Sequence, residues 1–392
     1  MKKCYQCARC SGVCQVSKVQ KFTPSKIIQM ILEGFEEKII ENGVLWDCLT
    51  CNQCLKDCPK DINFADLTRI VRYKMQKKGI HNLDRCIAHK GLYHTISELM
   101  SQPYIKIERP LDWIPKDCKI SDEGSILYYV GCLPFLSYEF QDLNSIASST
   151  LKMIYQIEKE SIVVLKEETC CGHDLYWGQG KFETFIELAK KNLTMFEKSG
   201  VSTIITACAE CYRTFKVDYP KLFEDFQDKY EVKHIIEYIY EKWKENKIEF
   251  KNLEEINENI TFTYHDPCRL SRFLPKENNI MEEVREIFTQ LKDQGYEFKE
   301  MAHNKQNSLC CGVSSWMNCN ERSKALRYKR FLEAKAVGTK MVTSCPKCRI
   351  HLTCLKKDYE DIASIEILDF SEFLVNMIHI IEDTNLNQEG QK

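Results

Sequence analysis

The stretch Ser308-Leu309-Cys310-Cys311-Gly312 decides the fold, because a second doublet, Cys170-Cys171-Gly172, stands 310 − 170 = 140 positions before it. Each doublet is preceded by a single cysteine and followed by a C-x-x-C pair, at offsets of 268 − 132 = 136 and 345 − 208 = 137. Three landmarks recurring at nearly one offset indicate an internal duplication. The first pentad is Cys132, Cys170, Cys171, Cys208 and Cys211, and the second pentad is Cys268, Cys310, Cys311, Cys345 and Cys348.

The segments around both pentads predict the same architecture. Apolar, β-branched runs end on cysteines or lead to them: SILYYVGC, SIVVLKEETCCGH and VSTIITACAEC in the first copy, and ITFTYHDPC, YEFKEMA and TKMVTSCPKC in the second. Helical stretches separate these runs, for example at 181–198 and 323–336. Strands alternating with helices predict two parallel α/β units. Ligands of such sheets bind beyond the carboxyl ends of the strands, where we expect the cysteines to lie.

Eight further cysteines form two identical runs near the N-terminus, each spaced C-x-x-C-x-x-C-x-x-x-C. This spacing is typical of two-cluster ferredoxins, in which each fourth cysteine crosses to the other cluster. We therefore assign one 4Fe–4S centre to Cys4, Cys7, Cys10 and Cys58, and the other to Cys48, Cys51, Cys54 and Cys14. Zinc knuckles are the alternative, but zinc favours two separated pairs over four cysteines in one run.

Helices are expected to fill the gap between the two runs. Thr23 and Pro24 predict the start of one helix, with a capping hydroxyl and a proline in its first turn. Ile27, Ile28, Ile31 and Leu32 would then share one face. Gln15 stands where the proline after the first run is expected, and this change would loosen the turn without removing a ligand.

We predict five segments from these patterns. The fold class is α/β, with an N-terminal α-helical two-cluster domain and two duplicated parallel α/β domains. The segments are 1–85 (ferredoxin-like domain), 86–123 (connector packed over a neighbouring domain), 124–250 (first copy), 251–383 (second copy) and 384–392 (polar, disordered tail).

Composition narrows the class of protein. The 392 residues carry a net charge of −2 and no arginine-rich run, which argues against nucleic-acid binding. No stretch of about 18 uncharged apolar residues is present, and the N-terminal sequence does not suggest a signal peptide. The 22 cysteines occur in C-x-x-C groups and not as a small secreted disulfide framework. We therefore expect metal-binding thiols in a reducing cytoplasm.

Each pentad offers one thiolate more than a cubane cluster needs. A Cys-Cys doublet can serve one cluster only if the backbone turns there, and Gly172 and Gly312 permit positive φ at that turn. A surplus thiolate suits a more open cluster with an accessible iron. Two such clusters facing one substrate could each take one sulfur of a disulfide, while the N-terminal pair refills them with electrons. Structural zinc or purely structural thiols are the alternative. Cys86, Cys118, Cys319 and Cys354 stay unassigned.

At these residues the chain resembles the heterodisulfide reductases. The doublet-glycine pattern is similar to their cysteine-rich CCG domain and to their B-type subunit, while CYQCARCSGVC and DCLTCNQCLKDCP resemble their ferredoxin-like C-type subunit. Both in one chain is the arrangement of their D-type subunit. The resemblance implies that each pentad holds a noncubane 4Fe–4S cluster, and that the pentad cysteines cleave the mixed disulfide of coenzyme M and coenzyme B in anaerobic methanogenesis.

The resemblance also implies partners. The electron donor would be a flavin-containing A-type subunit or a membrane cytochrome b subunit in a hetero-oligomeric complex, so a cytoplasmic chain could lie peripherally on the inner membrane face. Iron–sulfur subunits of glycolate, lactate and glycerol-3-phosphate dehydrogenases are also similar. They pass electrons from a flavin partner towards quinone, and they often lack part of the first cysteine set.

Charged residues beside the motifs suggest substrate contacts. His173 and His265 could donate protons to nascent thiolates, or could only hydrogen-bond a cluster sulfide or the backbone. Cations near the pentads could anchor a sulfonate, phosphate or carboxylate, or could be solvated or balance cluster charge. They are Arg213, Arg269, Arg272, Lys347 and Arg349.

Overall fold

The computed structural model describes residues 2–81, 88–137, 139–140, 143–255, 260–275, 279–312 and 319–381. A helical N-terminal module, defined here as residues 2–81, precedes two parallel α/β units. The predicted fold class is confirmed. Cys86 and the predicted polar tail at 384–392 lie outside the described residues.

The N-terminal module consists of short helices between cysteine loops. They are α1 (Arg9–Gly12), α2 (Pro24–Leu32), α3 (Glu36–Asn42), α4 (Gln53–Lys56) and α5 (Phe64–Lys77). Helix α2 begins at Pro24 as predicted, but the Thr23 side chain makes no capping hydrogen bond. Ile27 and Ile28 are buried, whereas Leu32 is 42% exposed, so the apolar face is narrower than predicted.

The connector contributes helix α6 (Leu92–Ser101) and the short strand β1 (Ile120–Ser121). Its Arg109 is buried and donates hydrogen bonds to the carbonyls of Gly131 (2.9 Å) and Glu168 (3.0 Å). It also pairs with the Glu168 carboxylate. A buried arginine needs such partners, and these contacts fix the loop that precedes Cys132.

The first α/β unit is a parallel sheet of order β1-β3-β2-β4-β5. Its own strands are β2 (Ile126–Tyr128), β3 (Ile162–Val163), β4 (Thr203–Thr206) and β5 (Glu231–His234). Its helices are α7 (Leu133–Leu136), α8 (Asn144–Glu158), α9 (Phe182–Ser199), α10 (Ala209–Arg213), α11 (Phe226–Lys229) and α12 (Ile235–Lys244), with π-helical turns at Asp174–Gln179 and Thr214–Asp218.

The second α/β unit repeats this topology as a parallel sheet of order β10-β9-β7-β8. Its strands are β7 (Thr261–His265), β8 (Glu297–Phe298), β9 (Lys340–Thr343) and β10 (Glu366–Asp369). Its helices are α13 (Cys268–Ser271), α14 (Met281–Asp293), α15 (Glu321–Lys335), α16 (Pro346–Leu355) and α17 (Phe370–Leu374). Strand for strand, this is the order of β2 to β5, as the duplication predicts. The domain boundaries themselves stay predictions.

A small antiparallel sheet joins the ends of the two units. Strand β6 (Ile248–Phe250) pairs with β11 (Ile378–Ile380), so that Ile248 lies opposite Ile380 and Phe250 opposite Ile378. The two units also touch through α8 and α17 and through α12 and α14. Among the described residues, no helix combines the length and the apolar character needed to cross a membrane.

The strands deliver the cysteines to one edge of each sheet, with one difference from the prediction. The C-x-x-C pairs follow β4 and β9 within two residues, and the single cysteines follow β2 and β7 closely. The doublets, however, come well after β3 and β8, because those strands are only two residues long. The doublet segments therefore reach the carboxyl edge as loops and not as strand ends.

Candidate functional site

The five cysteines of the first pentad lie together. Their thiols form a hydrogen-bonded chain that runs from Cys132 through Cys170, Cys171 and Cys211 to Cys208. The second pentad repeats this chain from Cys268 through Cys310, Cys311 and Cys348 to Cys345. The structure thus brings together every pentad member that the sequence singled out.

The two pentads meet at one contact. The thiol of Cys208, at the end of the first chain, hydrogen-bonds that of Cys345, at the end of the second. Seven of the ten thiols are buried, whereas Cys132, Cys208 and Cys268 are half-buried. One side of the paired site is therefore more accessible than the other.

Helix N-termini favour the ionised form of some of these thiols. Cys208 precedes α10 and Cys345 precedes α16, where free backbone N–H groups and the helix dipole stabilise negative charge. Hydrogen bonds from the thiols of Cys208 and Cys348 lower the pKa of Cys345 to about 6. Cys132 and Cys268 likewise stand at the starts of α7 and α13.

Gly172 and Gly312 make the turns that the doublets require. Their φ angles are +84° and +80°, which confirms the predicted positive φ. A Cβ at Gly172 would lie 2.6 Å from Cδ2 of Phe185, and one at Gly312 would lie 2.9 Å from Cγ of Arg327. Both positions therefore need glycine for conformation and for space.

The N-terminal cysteines fall into two neighbouring sets. Burial raises the pKa of Cys10, and the thiols of Cys4 and Cys58 raise it further, so these three lie close together. The Cys7 thiol contacts Tyr5, which also senses Cys58. Cys7 is exposed to solvent, so this first set lies at the surface.

The second set lies deeper. Burial raises the pKa of Cys14 to about 11, and the nearby thiols of Cys51 and Cys48 contribute. Burial also raises the pKa of Cys54, followed by the same two thiols and Cys14. A cavity opens among these four cysteines and is closed by Val16, Phe22, Leu49 and Phe64.

The second N-terminal set also adjoins the second pentad. Burial raises the pKa of Cys51, Arg272 opposes this effect, and the thiol of Cys268 adds to it. Cys310 in turn senses Cys51. The four groups of thiols thus follow one another from the surface set through the deeper set to the second pentad, and from there to the first.

A buried charge cluster lies between the pentads. Glu210 and Lys347 occupy the same position within the two C-x-x-C pairs, at an offset of 347 − 210 = 137, and their side chains form an ion pair. Asp174 also pairs with Lys347, whose side chain is 7% exposed. Sequence reasoning pointed to Lys347 but missed Glu210 and Asp174. An overlay of the two copies would have shown the opposite charges.

The cations beside the motifs are held by the protein itself, and none of the five is simply solvated. Arg269 donates to Thr50 and to His173, and Arg272 to the carbonyl oxygens of Cys51 (2.7 Å) and Ser308 (2.8 Å). The others form ion pairs: Arg213 with Asp218, Arg349 with Glu372, and Lys347 with the two acids. Their contacts attach the modules to one another.

The two histidines accept hydrogen bonds from arginines. His173 Nε2 accepts from Arg269 Nε at 2.9 Å, and His265 Nδ1 accepts from Arg330 Nε at 2.9 Å. Burial, reinforced by these arginines, lowers the pKa of both imidazoles well below the usual value. Both rings are therefore neutral, which favours a hydrogen-bonding role over proton donation.

The donor sets fit iron–sulfur clusters. All eighteen assigned cysteines are free thiols, gathered as two sets of four and two sets of five. A structural zinc ion takes four ligands, so a group of five thiols exceeds what zinc uses. His173, Asp174 and Glu210 lie close enough to share a cation, but Lys347 already neutralises their carboxylates.

Comparisons with known proteins identify these modules. The family described as "Cysteine-rich domain" (CCG) matches residues 126–216 and 262–353, and the family described as "4Fe-4S dicluster domain" matches residues 1–62. The D-type subunit of the dihydromethanophenazine:CoB–CoM heterodisulfide reductase of Methanosarcina mazei is 29% identical, with 86% of this chain and 77% of that protein covered.

Other relatives carry different names. The probable iron-sulfur-binding oxidoreductase FadF of Bacillus subtilis is 28% identical over 94% of this chain and 50% of its own length. The EtfAB:quinone oxidoreductase of Syntrophomonas wolfei is 24% identical over 86% and 47%. The chain is thus an iron–sulfur oxidoreductase. It belongs to the proteins that join a 4Fe-4S dicluster domain to two CCG domains, as a D-like member of the heterodisulfide reductase family.

Proposed function

We propose that this chain is the catalytic subunit of a heterodisulfide reductase that cleaves a mixed disulfide of the coenzyme M–coenzyme B type. The reaction is R–S–S–R′ + 2e⁻ + 2H⁺ → RSH + R′SH. The observation that carries the proposal is the contact between two complete pentads at Cys208 and Cys345. Two centres in contact are suited to a substrate that must give up two sulfurs.

The thiols would hold the cofactors in four groups. The first and second pentads would each bind a noncubane 4Fe–4S cluster, and the two N-terminal sets would each bind a cubane 4Fe–4S cluster. When bound, these clusters supply electrons singly to the sulfur–sulfur bond. The protein contributes buried thiols at helix N-termini, which favour the thiolate form that metal binding requires.

The protein also determines where a disulfide approaches. Cys132, Cys208 and Cys268 are half-buried while the other pentad thiols are buried, so the substrate would enter on the side of these three. The charges between the pentads are already paired with one another. The anionic ends of the substrate would therefore find their cations elsewhere than in Arg213, Arg269, Arg272, Lys347 and Arg349.

Electrons would enter at the exposed N-terminal set. Cys7 is at the surface, and the chain of thiol groups leads inward from it. The donor would be a flavin-containing A-type subunit or a membrane cytochrome b subunit, so a cytoplasmic chain would be peripheral to the membrane only through a partner. The Methanosarcina relative is named as one subunit of its enzyme, which supports a hetero-oligomeric complex.

A second function has its own support. The five partnered cations leave no evident anchor for an anionic disulfide, and two relatives are named as an oxidoreductase and a quinone oxidoreductase. The chain would then be the electron-transfer subunit of a flavin-dependent dehydrogenase of the glycolate, lactate or glycerol-3-phosphate type. Electrons would leave towards quinone, and no disulfide would react.

The deciding experiment uses anaerobically purified full-length protein, assayed for iron, sulfide and zinc. Reduced viologen and the coenzyme M–coenzyme B disulfide are then added, and free thiols are counted. We expect two thiols per two electrons, and loss of turnover in Cys132→Ala and in Cys268→Ala. Cys118→Ala is the control, because Cys118 is a buried cysteine outside both pentads.

Other results would contradict the proposal. A fully clustered chain that leaves the disulfide intact but reduces a quinone analogue with a reduced flavoprotein would favour electron transfer alone. Stoichiometric zinc without visible iron–sulfur absorbance would remove both functions.

A further inference from the structure

Gln15 connects the N-terminal module to the second pentad. It directly follows Cys14 and is only 5% exposed. Its Oε1 accepts a hydrogen bond from the backbone N–H of Cys310 at 3.0 Å, across 295 positions of sequence. The proline expected at this position has no side-chain acceptor, so Gln15 supplies a contact that proline could not.

This contact joins two thiol groups by a short route. Gln15 is covalently bonded to Cys14 of the deeper N-terminal set, and Cys310 belongs to the second pentad. One hydrogen bond completes the connection. Arg272 forms a second link, donating to the Cys51 carbonyl, but it lies four residues beyond Cys268 along the chain and so gives a longer route.

Burial makes this arrangement a demanding one. A buried amide that lacks a partner destabilises the folded chain, so the Gln15 side chain suits this position only because its hydrogen bond is made. The hydrogen bond also fixes the backbone at Cys310, the first cysteine of the doublet. Gln15 therefore acts on the position of a thiol in the pentad as well as on the distance between the two groups.

We propose that Gln15 is a positioning residue that couples the deeper N-terminal centre to the centre of the second pentad. The inference rests on the proposed function only in requiring a cluster at both sites. One electron crosses this bridge at a time. The centre beside Cys14 is oxidised by one electron, the centre at Cys310 is reduced by one, and no covalent bond changes.

The test compares variants of the full-length, cluster-loaded chain. Gln15→Met keeps the size of the side chain and removes the acceptor, whereas Gln15→Glu keeps an acceptor for the Cys310 N–H. Gln53→Met is the matched control, because Gln53 is also buried beside the same cysteines but bonds to Asp57 within the N-terminal module. A photoactivated deazaflavin reduces the N-terminal centres, and freeze-quench EPR follows reduction of the pentad centres.

Gln15→Met should slow this transfer about tenfold, since loss of groups that orient metal ligands typically costs ~10–100-fold. Gln15→Glu and Gln53→Met should stay close to the parent rate, with iron content and guanidinium midpoint unchanged in all variants. Transfer at the parent rate in Gln15→Met would overturn the proposal. So would a loss that merely follows a fall in iron content, or a Gln15→Glu rate as slow as that of Gln15→Met.

The outcome is separable from disulfide cleavage. A chain that cleaves the disulfide but transfers electrons normally without Gln15 refutes the bridge and keeps the function. A chain that leaves the disulfide intact but slows in Gln15→Met keeps the bridge and refutes the function.

Discussion

The first and second α/β units share strand order and cysteine pattern, yet the residue inside the closing C-x-x-C pair is Glu210 in one and Lys347 in the other. Equivalent positions of a duplicated site face each other across its centre. Identical charges there would repel, as in a symmetric dimer whose interface pairs a patch with itself. One fused chain can instead carry opposite charges, and the two halves then bind each other.

The units also differ just after these pairs. In the second unit α16 continues as a regular helix, whereas in the first α10 gives way to the π-helical turn Thr214–Asp218. That turn places Asp218 where it pairs with Arg213 and accepts from Nε1 of Trp177. Such π-helical turns often occur at functional sites, and this one supports the wall of the first pentad.

The largest expected effect comes from breaking the crossed ion pair. Lys347→Met leaves Asp174 and Glu210 buried without their cation, and removing one partner of a buried pair costs about 3–5 kcal/mol. Lys233→Met is the control, because its pairs with Glu231 and Glu241 are partly exposed and should be worth less than about 1 kcal/mol. Anaerobic guanidinium unfolding measures both. Equal losses would show that the cluster does not hold the halves together.

The next effect compares the two doublet turns. Alanine at Gly172 or Gly312 takes on a left-handed conformation costing about 1–2 kcal/mol. Crowding in a packed core adds about 1–3 kcal/mol. The closer approach to Phe185 makes Gly172→Ala the more damaging of the two.

Iron content and the EPR signal of each pentad report the damage from these variants. Gly172→Ala should deplete the first pentad, and Gly312→Ala the second. Gly200→Ala is the control, since its φ is also positive but a Cβ there meets no atom within 4 Å. Full occupancy of both pentads in Gly172→Ala would contradict the assigned role of the turn.

The smallest expected effect concerns the residues that cap equivalent helices. His234 caps α12 in the first unit through Nδ1, and Asp369 caps α17 in the second. Burial lowers the pKa of His234 to about 3, from its ordinary value of 6.5. Below pH 6.5 the unfolded chain gains a proton that the folded chain refuses, so stability is present above that pH and is lost as pH falls towards 3.

At pH 5.5 the loss should be about 1.4 kcal/mol, the equivalent of one pKa unit. His234→Asn keeps a capping acceptor and should remove this part of the difference between guanidinium midpoints at about pH 7.5 and about pH 5.5. The same pH dependence in parent and variant would place the acid sensitivity elsewhere.

Local sequence patterns predicted the duplication, the parallel strands, helices α9 and α15, and the positive φ of Gly172 and Gly312. They did not predict contacts between distant segments. Arg269 reaches Thr50 in another module, and Lys347 reaches Asp174 in the other half. Spacing reveals which residues recur, but partners 173 or 219 positions apart are chosen by the packing of the whole chain. Helix α2 shows the converse limit, since its periodicity did not reveal that Leu32 stays exposed.

The pairing of β6 with β11 fastens the last strand of each half to the other, in a register fixed by three residue pairs. A hinge motion that separated the halves would have to break this seam. The spacing between the two pentads is therefore rigid, and a visiting molecule must fit the gap from its rim. Separate expression of either half would leave it with an unmatched edge strand.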